Sequence, residues 1–543
     1  MRLPSPAPGL GLLCVLSFAG PAARAGDIVL TDPVYGKINA SAIDQPRLYA
    51  VVSDPAANNA IVTWDNPYGA ANETVLLTAY IDTGASGVAI SRLHATGEND
   101  LPHLDLGASD YLGAFTEIGI GGSEVGDVTR PFGIRVRSGA APESGEMLET
   151  EFDAFGDFSL WVRREIGESE YFDPINLIGM PVIRQRRLYL DTTPVAAWEP
   201  MVSHLLAPSA TEPDTQATIP LVLQDFIGDT PPAGEVLPSH SANPLVPNLV
   251  LQEGSRTATA TWLLDTGAGS SFTSFAIAKS LGLIPEQYAT LAAFMAVYDG
   301  PTAEIGGIGA TQVVPILSLD RLSVRSREGA TLVWQNLDLL VVDVAGLDGI
   351  FGMNLLVPSV TLDPDDPFGS LFDISPSMFT SVVIDTTRAA DPVMRLATPR
   401  ASGTAYGWLG STFSAPERSD PAIGTFAADA DGDGLANLIE YALGSDARAA
   451  NAGGTVAPAT TLVAANGGQH LALSFSRPLG GSAGLSYFVE VSNDLQTWRR
   501  GGGEVVLHQT STAGDRETLT YRAATPLGAG ARIFLRLAVE PTP

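Results

Sequence analysis

The chain carries one signature twice. Tyr80–Ser91 reads YIDTGASGVAIS and Leu263–Ser274 reads LLDTGAGSSFTS. Each is followed by a Glu-Ile-Gly element, TEIGIGGS at Thr116–Ser123 and AEIGGIGA at Ala303–Ala310. Each then reaches a segment in which two apolar residues precede a glycine, NLIGMPVIRQRRLYLDTTP at Asn176–Pro194 and DGIFGMNLLVPSVTLDPDD at Asp348–Asp366. Glu117 lies 35 residues after Asp82, and Glu304 lies 39 after Asp265; Gly179 and Gly352 follow the same aspartates by 97 and 87 residues. A lone DTG arises by chance in ordinary sequences, whereas three matched elements in the same order do not. A repeat of this length restricts the chain to folds made of two like halves.

The repeated unit has a physical reading. In each copy an apolar strand, ending in Ile81 or in Leu263 and Leu264, runs straight into Asp-Thr-Gly. A carboxylate at the end of a buried strand is costly unless it is hydrogen-bonded or paired. The glycine permits a tight turn whose backbone N–H groups can point back at that carboxylate. Two equivalent units related by a pseudo-twofold axis would bring Asp82 and Asp265 side by side. Two adjacent carboxyls share a proton over a range of pH, so that one serves as a base and the other as an acid. Such a pair can deprotonate a water while hydrogen-bonding a scissile carbonyl, which is peptide hydrolysis without metal or covalent intermediate.

On these residues the segment from about Ile28 to Asp385 resembles a two-lobed aspartic protease. The resemblance implies that Asp82 and Asp265 are the catalytic dyad and that Leu177-Ile178-Gly179 and Ile350-Phe351-Gly352 pass behind the two DTG loops. It also implies that Thr83 and Thr266 bond across the pair and that Gly84 and Gly267 belong to its support. The bilobal length is pepsin-like, while Ala85 and Ala268 after each DTG look more like the retroviral-type proteases. Gly119, Gly121, Gly122, Gly306, Gly307 and Gly309 stand where flap hairpins occur in these families; an ordinary glycine-rich hairpin is the competing reading. The alternative for the whole scaffold is an inactive protease fold that only binds peptides.

Other catalytic patterns lack support. GGSAG at Gly480–Gly484 fits the serine-hydrolase elbow formally but joins two strand-like runs and reads as a turn. Neither glycine-rich element completes a dinucleotide fingerprint, because Glu124 and Gln312 stand where its last glycine belongs. The histidines, His94, His103, His204, His240, His470 and His508, show no zinc-protease spacing.

A second motif is DADGDGLANLIE at Asp429–Glu440. It matches the twelve-residue EF-hand loop: Asp429, Asp431 and Asp433 supply oxygens, Gly434 makes the turn, Leu435 offers its carbonyl, Asn437 acts through water, and Glu440 closes the loop from a helix. With no incoming helix before it, it resembles the single loop-helix of dockerins and thrombospondin repeats. A structural calcium ion is expected there. Beyond it, Tyr487, Val489 and Val491 alternate with Phe488, Glu490 and Ser492, and Ile533, Leu535, Leu537 and Val539 alternate with Arg532, Phe534, Arg536 and Ala538. Period two in short runs predicts an antiparallel β-sandwich. This stretch resembles C-terminal modules of exported proteins of environmental bacteria, and attachment to a surface or polymer and plain stabilisation both stay open.

Composition fits this layout. At 543 residues the chain is long enough for several domains of about 150 residues each, and the short apolar runs broken by Gly, Pro, Asn and Asp predict a mostly β fold. There are 60 acidic and 30 basic residues, a net charge of −30, with Lys37 and Lys279 the only lysines. That polyanion argues against nucleic acid as a partner. The opening residues carry Arg2, an apolar run over Gly9–Ala19 and Ala23-Arg24-Ala25, which read as a signal peptide cut before Gly26. Export of the mature chain across the inner membrane is therefore expected, to the periplasm, cell surface or medium, without a membrane span. Cleavage would remove Cys14, the one cysteine, and with it any disulfide or cysteine nucleophile. The expected layout is 1–25 leader, 26–205 first lobe, 206–385 second lobe, 386–423 linker, 424–448 calcium loop and helix, and 449–543 β module. A polypeptide is the expected substrate of a monomeric endopeptidase; the alternative is an exported, calcium-dependent peptide-binding or adhesion protein.

Overall fold

A computed structural model describes residues 34–541, apart from 36–37 and a set of short stretches of which 140–150, 165–173, 362–373, 398–404 and 451–456 are the longest. The leader read over 1–25 lies outside the described residues. The fold is mostly β. The chain forms a larger unit, Pro33–Ser326 with Leu332–Pro399, and a smaller one containing Arg400–Pro543 and Arg327–Thr331. No helix among the described residues is long and apolar enough to cross a membrane.

The larger unit has two large sheets. In the first, eight strands run in the order Ala60–Ile61, Arg47–Asp54, Leu76–Ile81, Leu177–Ile178, Val88–Ile90, Asp153–Val162, Gly122–Arg137 and Tyr111–Gly119. Arg47–Asp54 also pairs with Gly122–Arg137, which curls the sheet toward closure. Leu76–Ile81 owes its place to period two: Leu77, Ala79 and Ile81 are buried between more exposed residues. In the second sheet Arg256–Leu264 occupies an interior position between Asn243–Glu253 and Gly349–Phe351. Its last three residues, Trp262, Leu263 and Leu264, are all buried, as expected of a strand covered on both faces.

Both aspartates emerge from the same local pairing. Leu76–Ile81 pairs in parallel with Leu177–Ile178, which pairs antiparallel with Val88–Ile90, which pairs in parallel with Asp153–Val162. Arg256–Leu264 pairs in parallel with Gly349–Phe351, which pairs antiparallel with Phe272–Thr273, which pairs in parallel with Thr331–Val341. Ile178 thus lies opposite Ile81, and Phe351 opposite Leu264.

A third sheet has five strands, in the order Val202–Leu206, Arg187–Asp191, Ser381–Asp385, Val393–Ala397 and Ala217–Pro220. It changes the reading of the segment from 386, which was expected to be linker. Val393, Met394, Leu396 and Ala397 are buried, and Arg395 reaches Asp385 at 3.1 Å and Glu212 at 3.3 Å. The surrounding Thr, Pro and Ala residues mask this short apolar strand.

In the smaller unit, Ala459–Ala465, Gly468–Pro478, Arg516–Ala523 and Val505–Ala513 form an antiparallel sheet in that order, and Leu485–Ser492 pairs antiparallel with Phe534–Pro541. Leu473, Phe475, Leu519, Val489, Val491 and Leu535 draw both sheets into one core, joined by Leu443 of the helix Asn437–Leu443. Glu490 departs from the expected alternation: it is buried and held by Arg536 at 2.7 Å.

Candidate functional site

Asp82 and Asp265 leave the ends of their strands with their N–H groups bonded to Ile178 and Phe351 carbonyls, each at 3.1 Å. The turn that follows folds back as the glycine pattern predicts. Gly84 and Ala85 donate backbone N–H bonds to Asp82 Oδ1 at 2.7 and 2.9 Å, and Gly267 and Ala268 do the same for Asp265 Oδ1 at 2.8 and 3.0 Å. One oxygen of each carboxyl is therefore fixed by backbone donors.

The threonines interlock. Thr83 N–H donates to Thr266 Oγ1 at 3.1 Å and Thr266 N–H to Thr83 Oγ1 at 3.0 Å. Their hydroxyls donate onward to the Leu264 and Ile81 carbonyls at 2.6 and 2.5 Å. Both threonines are fully buried. The glycines admit the opposite carboxyl: a Cβ on Gly84 would lie 2.4 Å from Asp265 Cγ, and one on Gly267 would lie 2.5 Å from Asp82 Cγ. Gly179 and Gly352 allow another close approach, since a Cβ there would meet the Gly87 carbonyl oxygen at 2.0 Å and the Ser270 carbonyl oxygen at 2.3 Å.

Two residues that the sequence did not single out complete the support. Asn243 donates to the carbonyls of Thr83 and Gly84, both at 3.0 Å, and accepts from Ser86 Oγ at 2.7 Å. Gln45 donates to the Gly267 carbonyl. Asn243 lies 161 residues from Asp82 and Gln45 220 from Asp265, and no local spacing marks either one.

Burial raises both acids above the ordinary carboxylate range. Burial raises Asp82, while its hydrogen bond with Asp265 and the loop N–H groups oppose that rise. Burial, the charge of Asp82 and the same hydrogen bond raise Asp265 well above the carboxylate range. The two carboxyls therefore titrate as a pair that can share one proton. Burial and the charge of Asp82 also push Glu117 up to about 7.

Gly119 and Gly122 pair across a hairpin whose tip is Ile120-Gly121, with Gly122 at φ 116°, a conformation that favours glycine. Gly306 and Gly307 follow the strand Thr302–Ile305, and Gly309 lies outside the described residues. The hairpins touch: Gln312 Nε2 donates to the Ile120 carbonyl at 2.6 Å, and Ile120 Cγ2 lies 3.5 Å from where a Cβ of Gly307 would stand.

In the smaller unit the acidic loop is tightly wound. Asp429 accepts from the N–H groups of Gly432 (2.8 Å), Asp433 (3.1 Å) and Gly434 (2.8 Å), while Asp433 accepts from Leu435 at 2.9 Å. Carboxylate oxygens of Asp429, Asp431 and Asp433 lie within 4.8 Å of one another. Glu440 is fully buried in the following helix, and burial together with Asp431, Asp433 and Asp429 pushes it up to about 8. Asp431 Oδ2 is buried with no hydrogen-bond partner among the described residues. This is a set of hard oxygen donors of the kind that could hold a metal ion. Asn437 is buried, and its amide donates to the carbonyls of Ile423 and Thr425, both at 2.7 Å. It braces the loop against the preceding segment.

No protein-family model matches the chain, and no curated protein matches it in sequence.

Proposed function

We propose that the chain is an exported, two-lobed aspartic endopeptidase whose catalytic pair is Asp82 and Asp265. The observation that carries this reading is the reciprocal geometry of the two DTG loops, in which each glycine packs on the opposite carboxyl and the threonines interlock beneath. The matching strand order around the two aspartates supports a duplicated fold. Because one chain supplies both aspartates, a monomer suffices.

In this mechanism a water held between the carboxyls gives its proton to Asp82 as its oxygen attacks the peptide carbonyl carbon. Asp265 gives its proton to the carbonyl oxygen, forming a gem-diol. Collapse of that intermediate breaks the C–N bond, returns the hydroxyl proton to Asp265 and delivers the Asp82 proton to the departing amine. The backbone donors on Asp82 Oδ1 and Asp265 Oδ1 fix the orientation of both groups before substrate arrives.

Asp429, Asp431, Asp433 and Glu440, with the Leu435 carbonyl, would hold a structural calcium ion, and the buried, unpartnered Asp431 Oδ2 supports this. Bound calcium would supply the positive charge that lets these acids ionise together. Asn437 would act at this site through water, while its amide N–H groups brace the loop. The leader reading supports export beyond the inner membrane.

Digestion of an unfolded protein by wild type and by Asp265→Asn, both with calcium, tests the proposal. Cleavage by the wild type alone is expected; equal residual cleavage by both would exclude the dyad.

A further inference from the structure

Two amide side chains cross between the large sheets. Asn243 is the first residue of the strand Asn243–Glu253, which pairs with Arg256–Leu264, the strand that leads to Asp265. Its side chain nevertheless reaches the loop of Asp82. Gln45 stands two residues before the strand Arg47–Asp54, which pairs with Leu76–Ile81, the strand that leads to Asp82. Its side chain reaches the loop of Asp265. The backbone leading to each amide is tied down in the same way. Ser241 N–H donates to the Ser86 carbonyl at 2.9 Å and Ala42 N–H to the Gly269 carbonyl at 2.7 Å, and each acceptor lies four residues after its aspartate.

These bonds fall on particular peptide units. In a planar trans peptide the C=O of one residue and the N–H of the next point in opposite directions and turn together. The Thr83 carbonyl shares its peptide with the Gly84 N–H, and the Gly84 carbonyl shares its peptide with the Ala85 N–H. Those are the two N–H groups that bind Asp82 Oδ1, at 2.7 and 2.9 Å. Asn243 Nδ2 holds both of these carbonyls, each at 3.0 Å. The Gly267 carbonyl shares its peptide with the Ala268 N–H, which binds Asp265 Oδ1 at 3.0 Å, and Gln45 holds that carbonyl. Carbonyls only accept, so the amide nitrogen of Asn243 faces them and its oxygen takes the Ser86 hydroxyl at 2.7 Å. Asn243 is fully buried, and in such a place a bond to a carbonyl also polarises the N–H at the far end of the same peptide.

We propose that Asn243 and Gln45 are positioning residues, each setting, through the loop peptides it holds, the N–H groups that orient the carboxyl carried by the other sheet. This rests on the reading of Asp82 and Asp265 as a peptide-hydrolysing pair. Both side chains act through the backbone and not on the reacting atoms. Each carboxyl is then held ready only while the two sheets stay docked, because the brace for one comes from the sheet that carries the other.

The test uses the full chain with calcium and two variants. Gln45→Met keeps the length of the side chain and removes its donors, and Asn243→Leu does the same at the buried position. Hydrolysis of a fluorogenic peptide gives kcat and KM, and hydrogen exchange followed by mass spectrometry reads the loop amides independently of hydrolysis. Each variant is expected to lower kcat about tenfold or more with KM kept within about twofold. Each should also speed exchange about tenfold at the loop it braces, at Gly84 and Ala85 for Asn243→Leu and at Ala268 for Gln45→Met, with Leu76–Ile81 and Arg256–Leu264 unchanged. Exchange at the wild-type rate in the braced loop, exchange raised throughout both sheets, or an unchanged kcat in both variants overturns the assignment. Where Asn243→Leu does not fold, Gln45→Met decides alone. If the wild type hydrolyses no peptide but exchange still responds in the braced loop, the bracing assignment stands and the hydrolytic reading fails.

Discussion

Thr83 and Thr266 each use a hydroxyl twice: Oγ1 accepts the other threonine's N–H and donates to the carbonyl of the residue before the opposite aspartate. Four bonds thus fasten the two carboxyl-bearing loops in a fully buried position. Removing one hydroxyl strands a donor and an acceptor away from water, where each costs about 1–3 kcal/mol.

Thr83→Val should therefore lower the unfolding free energy of the larger unit by about 2–4 kcal/mol, measured by urea denaturation, and reduce hydrolysis with it. Thr83→Ser keeps the hydroxyl and should retain most of both. Equal stability of wild type and Thr83→Val would show that the threonines do not fasten the loops.

Gly84→Ala and Gly267→Ala each drive a methyl into the opposite carboxyl. Separating the aspartates should lower kcat/KM by about 100-fold or more, since positioning errors near 1 Å cost that much. Circular dichroism would check that the fold survives. Near-normal kcat/KM in either variant would mean that the carboxyls are not required at contact distance.

The aspartate pair also sets a pH dependence. Both folded-state pKa values are raised, so the folded chain holds more protons than the unfolded chain above the ordinary carboxylate range. This contribution to stability is complete at low pH and is lost as pH rises through the folded values. Asp265→Asn should flatten the decline in unfolding free energy with pH by about 1 kcal/mol per pH unit over part of that range. An identical slope in both proteins would contradict the shared proton. Hydrolysis should peak in mildly acidic solution, because protonating Asp82 as well removes the base; a rate still rising below about pH 3 would contradict this.

Calcium should stabilise the smaller unit. At about 100 times the dissociation constant, binding to the folded state alone adds about 2.7 kcal/mol, visible as a calorimetric transition that rises with calcium and falls with chelator. Asp431→Asn should weaken this response, and Asn437→Ala should destabilise the unit with calcium affinity largely kept. No response to calcium in the wild type would remove the metal assignment.

Much of this arrangement was legible in the sequence because its causes are local. An apolar strand running into Asp-Thr-Gly predicts a folded-back turn, and the N–H bonds from Gly84, Ala85, Gly267 and Ala268 are that turn. The repeat singled out Leu177-Ile178 and Ile350-Phe351, the family resemblance implied that they lie behind the loops, and they pair beside the strands that end in the aspartates. Contacts made across long stretches of chain left no such trace. Asn243 and Gln45 reach the loops through tertiary packing, and the strand Val393–Ala397 is too short to stand out from its Thr- and Pro-containing surroundings.

In the proposed mechanism Asp82 and Asp265 act as one unit. The most direct measurement compares hydrolysis of an unfolded protein by wild type, Asp82→Asn, Asp265→Asn and the double variant, each with calcium and each verified as folded. Each single variant should lose about a thousandfold or more, and the double variant should lose little beyond that, as residues acting together do. Near-wild-type cleavage by either single variant would contradict the account.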